Sequence, residues 1–217
     1  MASKRKARVD PFHIMAGVIV AAAVVLGGAV LAVNRPLAPP SPASVALLET
    51  NTGFCTAFFV APRLLATAGH CVEKPGQAIT VTLRDGRQAK GYAIFDDDAN
   101  DVAIIAIQGV TAPEVASLRC DGIRPSIGEP IWTVGNPMGL LPWFVSHGTV
   151  AGYGPTKSPG YDVHDYLWMG ITIASGNSGG PVFDTSGRVV GVVSALAGER
   201  FGFAVPLASI CRELGLK

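Results

Sequence analysis

The sequence predicts an all-β domain, a sandwich or small barrels, with one C-terminal helix, preceded by a single membrane-crossing helix. Three observations carry this. From residue 45 onward, short apolar runs alternate with Gly, Pro, Asp and Asn clusters. The texture continues for about 170 residues, enough for two small barrels sharing an interface. Ahead of it, residues 14–33 are twenty positions without a charge.

The uncharged run comes first. At about 1.5 Å rise per residue it makes a helix of roughly 30 Å, the thickness of a bilayer's hydrocarbon core. Lys4, Arg5, Lys6 and Arg8 precede it, and Arg35 alone follows closely. Positive residues stay on the cytoplasmic side, so residues 1–13 are expected inside and the remaining chain outside. A cleaved signal peptide is the competing reading, and Val30-Leu31-Ala32 is its cleavage site. Its apolar region is usually about 7–15 residues, shorter than this run, which favours an uncleaved anchor. Residues 34–44 contain four prolines and read as a semi-rigid spacer.

Strands are expected at 45–48, 55–60, 79–83, 89–95, 102–107, 130–134, 145–153, 166–173, 181–183, 189–194 and 201–205. Asp184-Thr185-Ser186-Gly187 reads as a hairpin loop. Residues 117–126, with Cys120, Gly122 and Pro125, are the expected linker, giving barrel one at 45–116 and barrel two at 127–217. Leu207, Ile210, Cys211 and Leu214 fall on one face of a terminal helix over 206–216.

Composition excludes several classes. The 217 residues carry a net charge of +1 and 49% hydrophobic residues, too apolar for disorder and too neutral for nucleic-acid binding by bulk charge. The charge is also uneven. Residues 1–35 hold five basic residues and one acid, while 36–217 hold twelve basic and fifteen acidic.

Three motifs carry chemistry: Thr67-Ala68-Gly69-His70-Cys71, Asn100-Asp101-Val102-Ala103-Ile104-Ile105 and Gly176-Asn177-Ser178-Gly179-Gly180-Pro181. A serine hydroxyl is a weak nucleophile and requires a base beside it. A histidine serves, with an unperturbed pKa near 6.5. A carboxylate fixes its tautomer and stabilises the imidazolium. Backbone N–H groups must converge on the oxyanion, and glycines around a serine allow this.

Together these motifs resemble the trypsin-like, chymotrypsin-fold serine proteases. GNSGGP, with Val134-Gly135-Asn136-Pro137-Met138-Gly139 and Gly202-Phe203-Ala204-Val205-Pro206, is most similar to the HtrA/Deg branch. The resemblance implies two Greek-key barrels and a serine endopeptidase acting on protein or peptide substrates, without metal or cofactor. It implies His70 as base and acid, Asp101 as its orienting carboxylate and Ser178 as nucleophile. Gly176 and Ser178 N–H groups, with Asn177 between them, would form the oxyanion hole. Val193-Ser194-Ala195 would pair with the substrate backbone. Thr172, six residues before Ser178, would lie at the base of the specificity pocket and gives no support for a Lys or Arg preference.

Asn177 replaces the aspartate with which digestive relatives capture a new N-terminus, so activation by that route is not expected. Ala57 stands where relatives often carry glycine, an expected small packing adjustment. No PDZ domain is seen after the terminal helix, so regulation through one is not expected. Four cysteines allow three connectivities, and sequence does not choose among them. The family has a disulfide where Cys55 and Cys71 stand, which leaves Cys120 and Cys211 as the second pair. A zinc site lacks any CxxC pair.

Bland readings stand beside these. His70 alone would be a core histidine; its motif argues otherwise. His147 and His164 are expected on the surface or in loops, and His13 beside the membrane run. Asp96, Asp97 and Asp98 read as a solvated loop. Trp132, Trp143 and Trp168 read as core or pocket wall. Two rival functions remain: a silent module that binds exposed peptides, and an anchored form facing the cytoplasm. The oligomeric state is left open.

Overall fold

The computed structural model describes residues 41–51, 53–72, 76, 78–155, 165–197 and 201–216. The expected basic tail, membrane helix and most of the spacer lie outside these residues, as does His164. Among the described residues no helix is long and apolar enough to cross a membrane. The last spacer residues differ from the extended expectation. Pro42–Ser44 form a short 3-10 turn, with Pro at its start and the Ser41 hydroxyl accepting from Ala43 N–H.

Among the described residues twelve strands follow in two closed six-stranded barrels. Barrel one holds β1 (Val45–Thr50), β2 (Gly53–Ala61), β3 (Leu64–Thr67), β4 (Ala78–Leu83), β5 (Gln88–Asp97) and β6 (Val102–Ile107). They close in the order β1-β2-β3-β6-β5-β4. Barrel two holds β7 (Pro130–Gly135), β8 (Phe144–Gly154), β9 (Tyr166–Gly170), β10 (Pro181–Phe183), β11 (Val189–Ala197) and β12 (Phe201–Pro206). Its order, β7-β8-β9-β12-β11-β10, repeats that of barrel one, and every named pairing is antiparallel. One helix, α1 (Ala208–Glu213), ends the fold.

The sequence reading missed β3. Its four residues run from half-buried to fully buried with no polar alternation, so no period of two marks it. β9 is shorter than expected and ends at Gly170, and α1 begins at Ala208.

Each barrel buries its own core, around Phe59, Leu65 and Ile105 in one and Ile131, Met169 and Val182 in the other. A third cluster joins them. Phe58, Val60 and Val102 from barrel one pack with Val134, Phe183 and Val192 from barrel two, and with Leu207 and Ile210. The amphipathic face read for the helix is the face that seals this seam.

Two disulfides brace the architecture. Cys55–Cys71 ties β2 to the turn after β3, and Cys120–Cys211 ties the inter-barrel linker to α1. Asp184 opens the β10–β11 hairpin loop; its carboxylate accepts from Ser186 and Arg188 N–H and pairs with Arg119 from the linker.

Candidate active site

β3 delivers the first motif. Its last residue, Thr67, is followed by Ala68 and a 3-10 turn, Gly69–Cys71, that carries His70. Residue 69 is closely packed: a Cβ there would lie 3.2 Å from Val102 N and from an Asp96 carboxylate oxygen, so a larger residue would push on both. The close approach brings His70 against the second motif.

Asp101 caps a 3-10 turn, Asp98–Asn100, in the left-handed conformation (φ 48°) immediately before β6. Asp97 caps the other end, its carboxylate accepting from Asn100 backbone and side-chain N–H groups. Asp97 is therefore a structural cap, where the sequence suggested only solvated loop. Asp101 Oδ1 accepts from His70 N–H at 2.9 Å and lies 2.9 Å from His70 Nδ1; Oδ2 lies 3.0 Å from it. With Nδ1–H directed at the carboxylate, Nε2 is left as the acceptor.

Burial pushes the Asp101 carboxyl up. The His70 ring's hydrogen bond and charge, the Ser194 hydroxyl and the His70 N–H outweigh it and hold the group below its ordinary 3.8. Asp96 goes the other way: burial, then the charges of Asp98, Asp101 and Asp97, raise it.

The third motif forms the turn after β9. Asn177 N–H donates to Ala174 O at 3.0 Å, and Gly176 has φ +95°. Ser175 O accepts from Met138 N–H at 2.7 Å. In a trans peptide the next N–H points the opposite way, so the Gly176 N–H faces away from Met138. Neither this N–H nor that of Ser178 donates to a protein group among the described residues. Asn177's own N–H is used within the turn, so Asn177 stands between two donors without supplying one.

Glycine is also enforced at 179. A Cβ there would lie 2.0 Å from Thr56 O and 2.2 Å from Thr67 Oγ1. Thr56 N–H donates to Ser178 O at 2.8 Å, and Gly179 N–H to Val193 O at 2.7 Å. The serine turn is thus pinned to β2 of one barrel and β11 of the other.

The structure places His70, Ser178, Ser194 and Ala195 on one cavity of about 280 Å³, walled also by Phe54 and Ile173. Ser178 Oγ donates to Ser194 O at 3.2 Å. Ser194 Oγ donates to Asp101 Oδ2. A larger cavity, about 520 Å³, lies between the linker and α1 and is lined by none of the His70, Asp101 and Ser178 motifs. No cluster of three or more metal-ligating side chains occurs among the described residues.

Two expectations need correction. Thr172 is exposed and does not line the cavity. Its neighbours Ile171 and Ile173 are buried, and Ile173 supplies the cavity wall. The spacing to Ser178 was right for a wall residue, but backbone alternation sends the Thr172 side chain outward. Val193 is buried in the core, with its N–H and C=O bonded to Gly180 and Gly179. β10 pairs no further along β11 than Val192. A bulge at Ser194 then shifts the register, so Ser194, Ala195 and Leu196 form the cavity edge.

Sequence reading missed Thr56, Thr67 and Asn136. Thr56 Oγ1 donates to Gly176 O at 2.7 Å and accepts from Asn136 N–H at 3.0 Å. Thr67 Oγ1 donates to Thr56 O at 2.8 Å. Their signal was a fully buried polar residue inside an apolar run, which demands a partner.

Comparison with known proteins follows this geometry. Residues 55–192 match the trypsin-like peptidase domain model. A "Probable periplasmic serine endoprotease DegP-like" of Chlamydia pneumoniae is 32% identical over 157 residues, 70% of this chain and 31% of the relative. The "Serine protease Do-like HtrB" of Bacillus subtilis is 32% identical over 151 residues, 65% of this chain and 32% of the relative. The chain therefore spans about a third of the length of these relatives. Among solved structures, the HtrA-type protease AlgW with a tripeptide superposes with TM-score 0.69 and 27% identity, over 80% of this chain and 60% of that one. Rv3671c from M. tuberculosis H37Rv, in an inactive form, shares the fold at TM-score 0.67 and 21% identity, over 83% and 95%.

Proposed function

The chain belongs to the trypsin-like peptidase family, and on that premise we propose that it is a serine endopeptidase working through Ser178, His70 and Asp101. Ser178 Oγ attacks the scissile carbonyl as His70 Nε2 takes its proton. The Gly176 and Ser178 N–H groups receive the oxyanion. His70 returns the proton to the leaving amine, and water resolves the acyl-enzyme by the same base. Asp101 holds the imidazole and balances its charge. The substrate's acyl side pairs as an extended strand with the β11 edge at Ser194–Leu196, beyond the last residue that β10 pairs.

The observation that carries this reading is the His70–Asp101 pair opening onto the cavity that Ser178 shares, with two unspent N–H donors beside the serine.

The whole chain is read as tethered through residues 14–33, with the barrels outside the cytoplasm. Two disulfides and relatives described as periplasmic endoproteases support that placement.

One observation favours a second reading, a silent module that binds peptides. The Ser178 hydroxyl donates to Ser194 O rather than to His70. Catalytic hydrogen bonds often tighten only when substrate binds, so this contact leaves the enzyme reading in place.

Fluorophosphonate labelling and casein cleavage by the full chain, beside Ser178→Ala, decide between them. Labelling and cleavage lost in the variant are expected. A folded, oxidised chain that neither labels nor cleaves sinks the enzyme reading.

A further inference from the structure

Between β7 and β8 lies an apolar loop whose exposed side chains the mechanism does not use. No Asp, Glu, Lys or Arg occurs from residue 130 to residue 156. Within that stretch Met138, Leu140, Leu141, Phe144 and Val145 are exposed, Leu140 to 74%. The Phe54 ring packs on Gly139, where a Cβ would lie 2.5 Å from it, and extends the patch. Contiguous exposed apolar surface on a soluble domain marks an interaction site. A leucine, phenylalanine and tryptophan mixture without charge suits a bilayer interface.

The loop is fixed to the start of β1. Trp143 Nε1–H donates to Val45 O at 2.9 Å, and Asn136 Nδ2–H donates to Ala46 O at 3.2 Å. Asn136 Oδ1 in turn accepts from Trp143 N–H at 3.0 Å. Val45 is also where the chain arrives from the uncharged run ending at Val33. Eleven residues separate the two, a reach of at most roughly 40 Å. The domain end of this short tether therefore sits beside the loop, whatever else surrounds it.

We propose that the loop at 138–145 is a lipid-docking element that seats the catalytic cleft on the membrane surface. The proposal rests on the tethered reading given above. It also names a substrate class: protein segments lying at or emerging from the bilayer. The same loop reaches the site through Met138 N–H, which holds Ser175 O and so orients the oxyanion turn. Lipid contact and a formed turn share one rigid segment.

The test uses the full chain in phosphatidylcholine vesicles whose acyl chains carry bromine near the headgroup, a short-range quencher of tryptophan. Emission is read first, and the vesicles are then washed with alkaline carbonate. The expected result is at least half of the Trp143 emission quenched, with Trp143→Phe losing that component and the chain retained through the wash. Leu140→Ser/Leu141→Ser/Phe144→Ser, all at exposed positions, should abolish quenching and lower cleavage of a substrate embedded in the same vesicles several-fold. Its hydrolysis of a small soluble ester should be unchanged.

Retention without quenching overturns lipid docking and leaves the tether standing. Quenching before the wash with release by carbonate supports the loop and removes the tether. Release without quenching overturns both. Absence of quenching with a smaller particle mass in detergent for the triple variant assigns the loop to a second copy of the chain, and also overturns the proposal.

Discussion

Ser194 and Asp101 stand 93 positions apart, and the Ser194 hydroxyl donates to Asp101 Oδ2. The same serine's carbonyl holds the Ser178 hydroxyl. One bulged residue on β11 therefore touches the orienting carboxylate and the proposed nucleophile at once.

Ser194→Ala removes a hydrogen bond to a largely buried carboxylate, worth about 1.5–3 kcal/mol. It also withdraws one of the interactions that hold Asp101 below its ordinary value. Thermal unfolding should show that loss. Fluorophosphonate labelling should slow by about tenfold or more, because 1.4 kcal/mol is a factor of ten. Ser194→Thr, which keeps a hydroxyl, should recover part of both.

Asp101 makes stability depend on pH with a definite sign. Its folded value lies below the ordinary 3.8, so its contribution is fully present above that value. The contribution is lost as pH falls through the folded value. Asp101→Asn should therefore be less stable than the parent at pH 7, and the gap should close progressively below about 3.8. Urea titrations at several pH values read this directly. A gap that widens in acid contradicts the assignment. Activity should fall by about 10⁴-fold, the loss when a triad histidine is held in the wrong tautomer.

Thr56→Val tests the support beneath the oxyanion turn. The variant leaves Gly176 O and the Asn136 N–H without a buried partner, at about 1–3 kcal/mol each. Melting should shift downward and labelling should weaken further than stability alone explains. Thr56→Ser keeps the hydroxyl and should label normally.

Gly179→Ala should be worse than either. Its new methyl meets Thr56 O at 2.0 Å, and the backbone sits at φ +84°. Strain and overpacking together cost at least about 2 kcal/mol. Circular dichroism melts and labelling yield should fall together; a variant that labels at the parental rate contradicts the pinned turn.

Cys120→Ser/Cys211→Ser opens a bridge spanning 91 positions, well away from His70 and Ser178. The chain-entropy estimate for so long a loop is about 4–5 kcal/mol. The unfolding midpoint should drop while turnover of a small ester at 25 °C stays near the parent's.

What the sequence revealed and what it hid divide along one physical line. His70, Asp101 and Ser178 were legible because each sits in a local backbone device. Glycines flank His70 and Ser178 as a short signature readable in place, although the groups that exclude a side chain there, Val102 N at Gly69 and Thr56 O at Gly179, lie far along the chain; Asp101 directly precedes a buried strand. Ser194, Thr56 and Asn136 were hidden because their partners lie far along the chain. A serine or threonine inside an apolar run looks like any other strand residue until the second barrel arrives. The Val193 and Thr172 readings failed for a related reason. The Ser194 bulge shifts the register beside Val193, and a count of six back from Ser178 does not say which side of the chain faces the cavity: Ile171 and Ile173 turn inward and Thr172 outward. The two barrels share a strand order, yet no internal repeat in the sequence announces it.

The Cys120–Cys211 bridge has a consequence for a severed chain. Asp121, Gly122, Ile123 and Arg124 are exposed, and they follow Cys120. A cut among them divides the polypeptide between the half carrying His70 and the half carrying Ser178, yet Cys120 stays bonded to Cys211 on the far side. The two pieces remain one molecule under oxidising conditions and separate only when a reductant is added. A cut a few positions earlier, before Cys120, leaves no bridge between the halves, which are then held by the apolar seam and the hydrogen bonds that cross it.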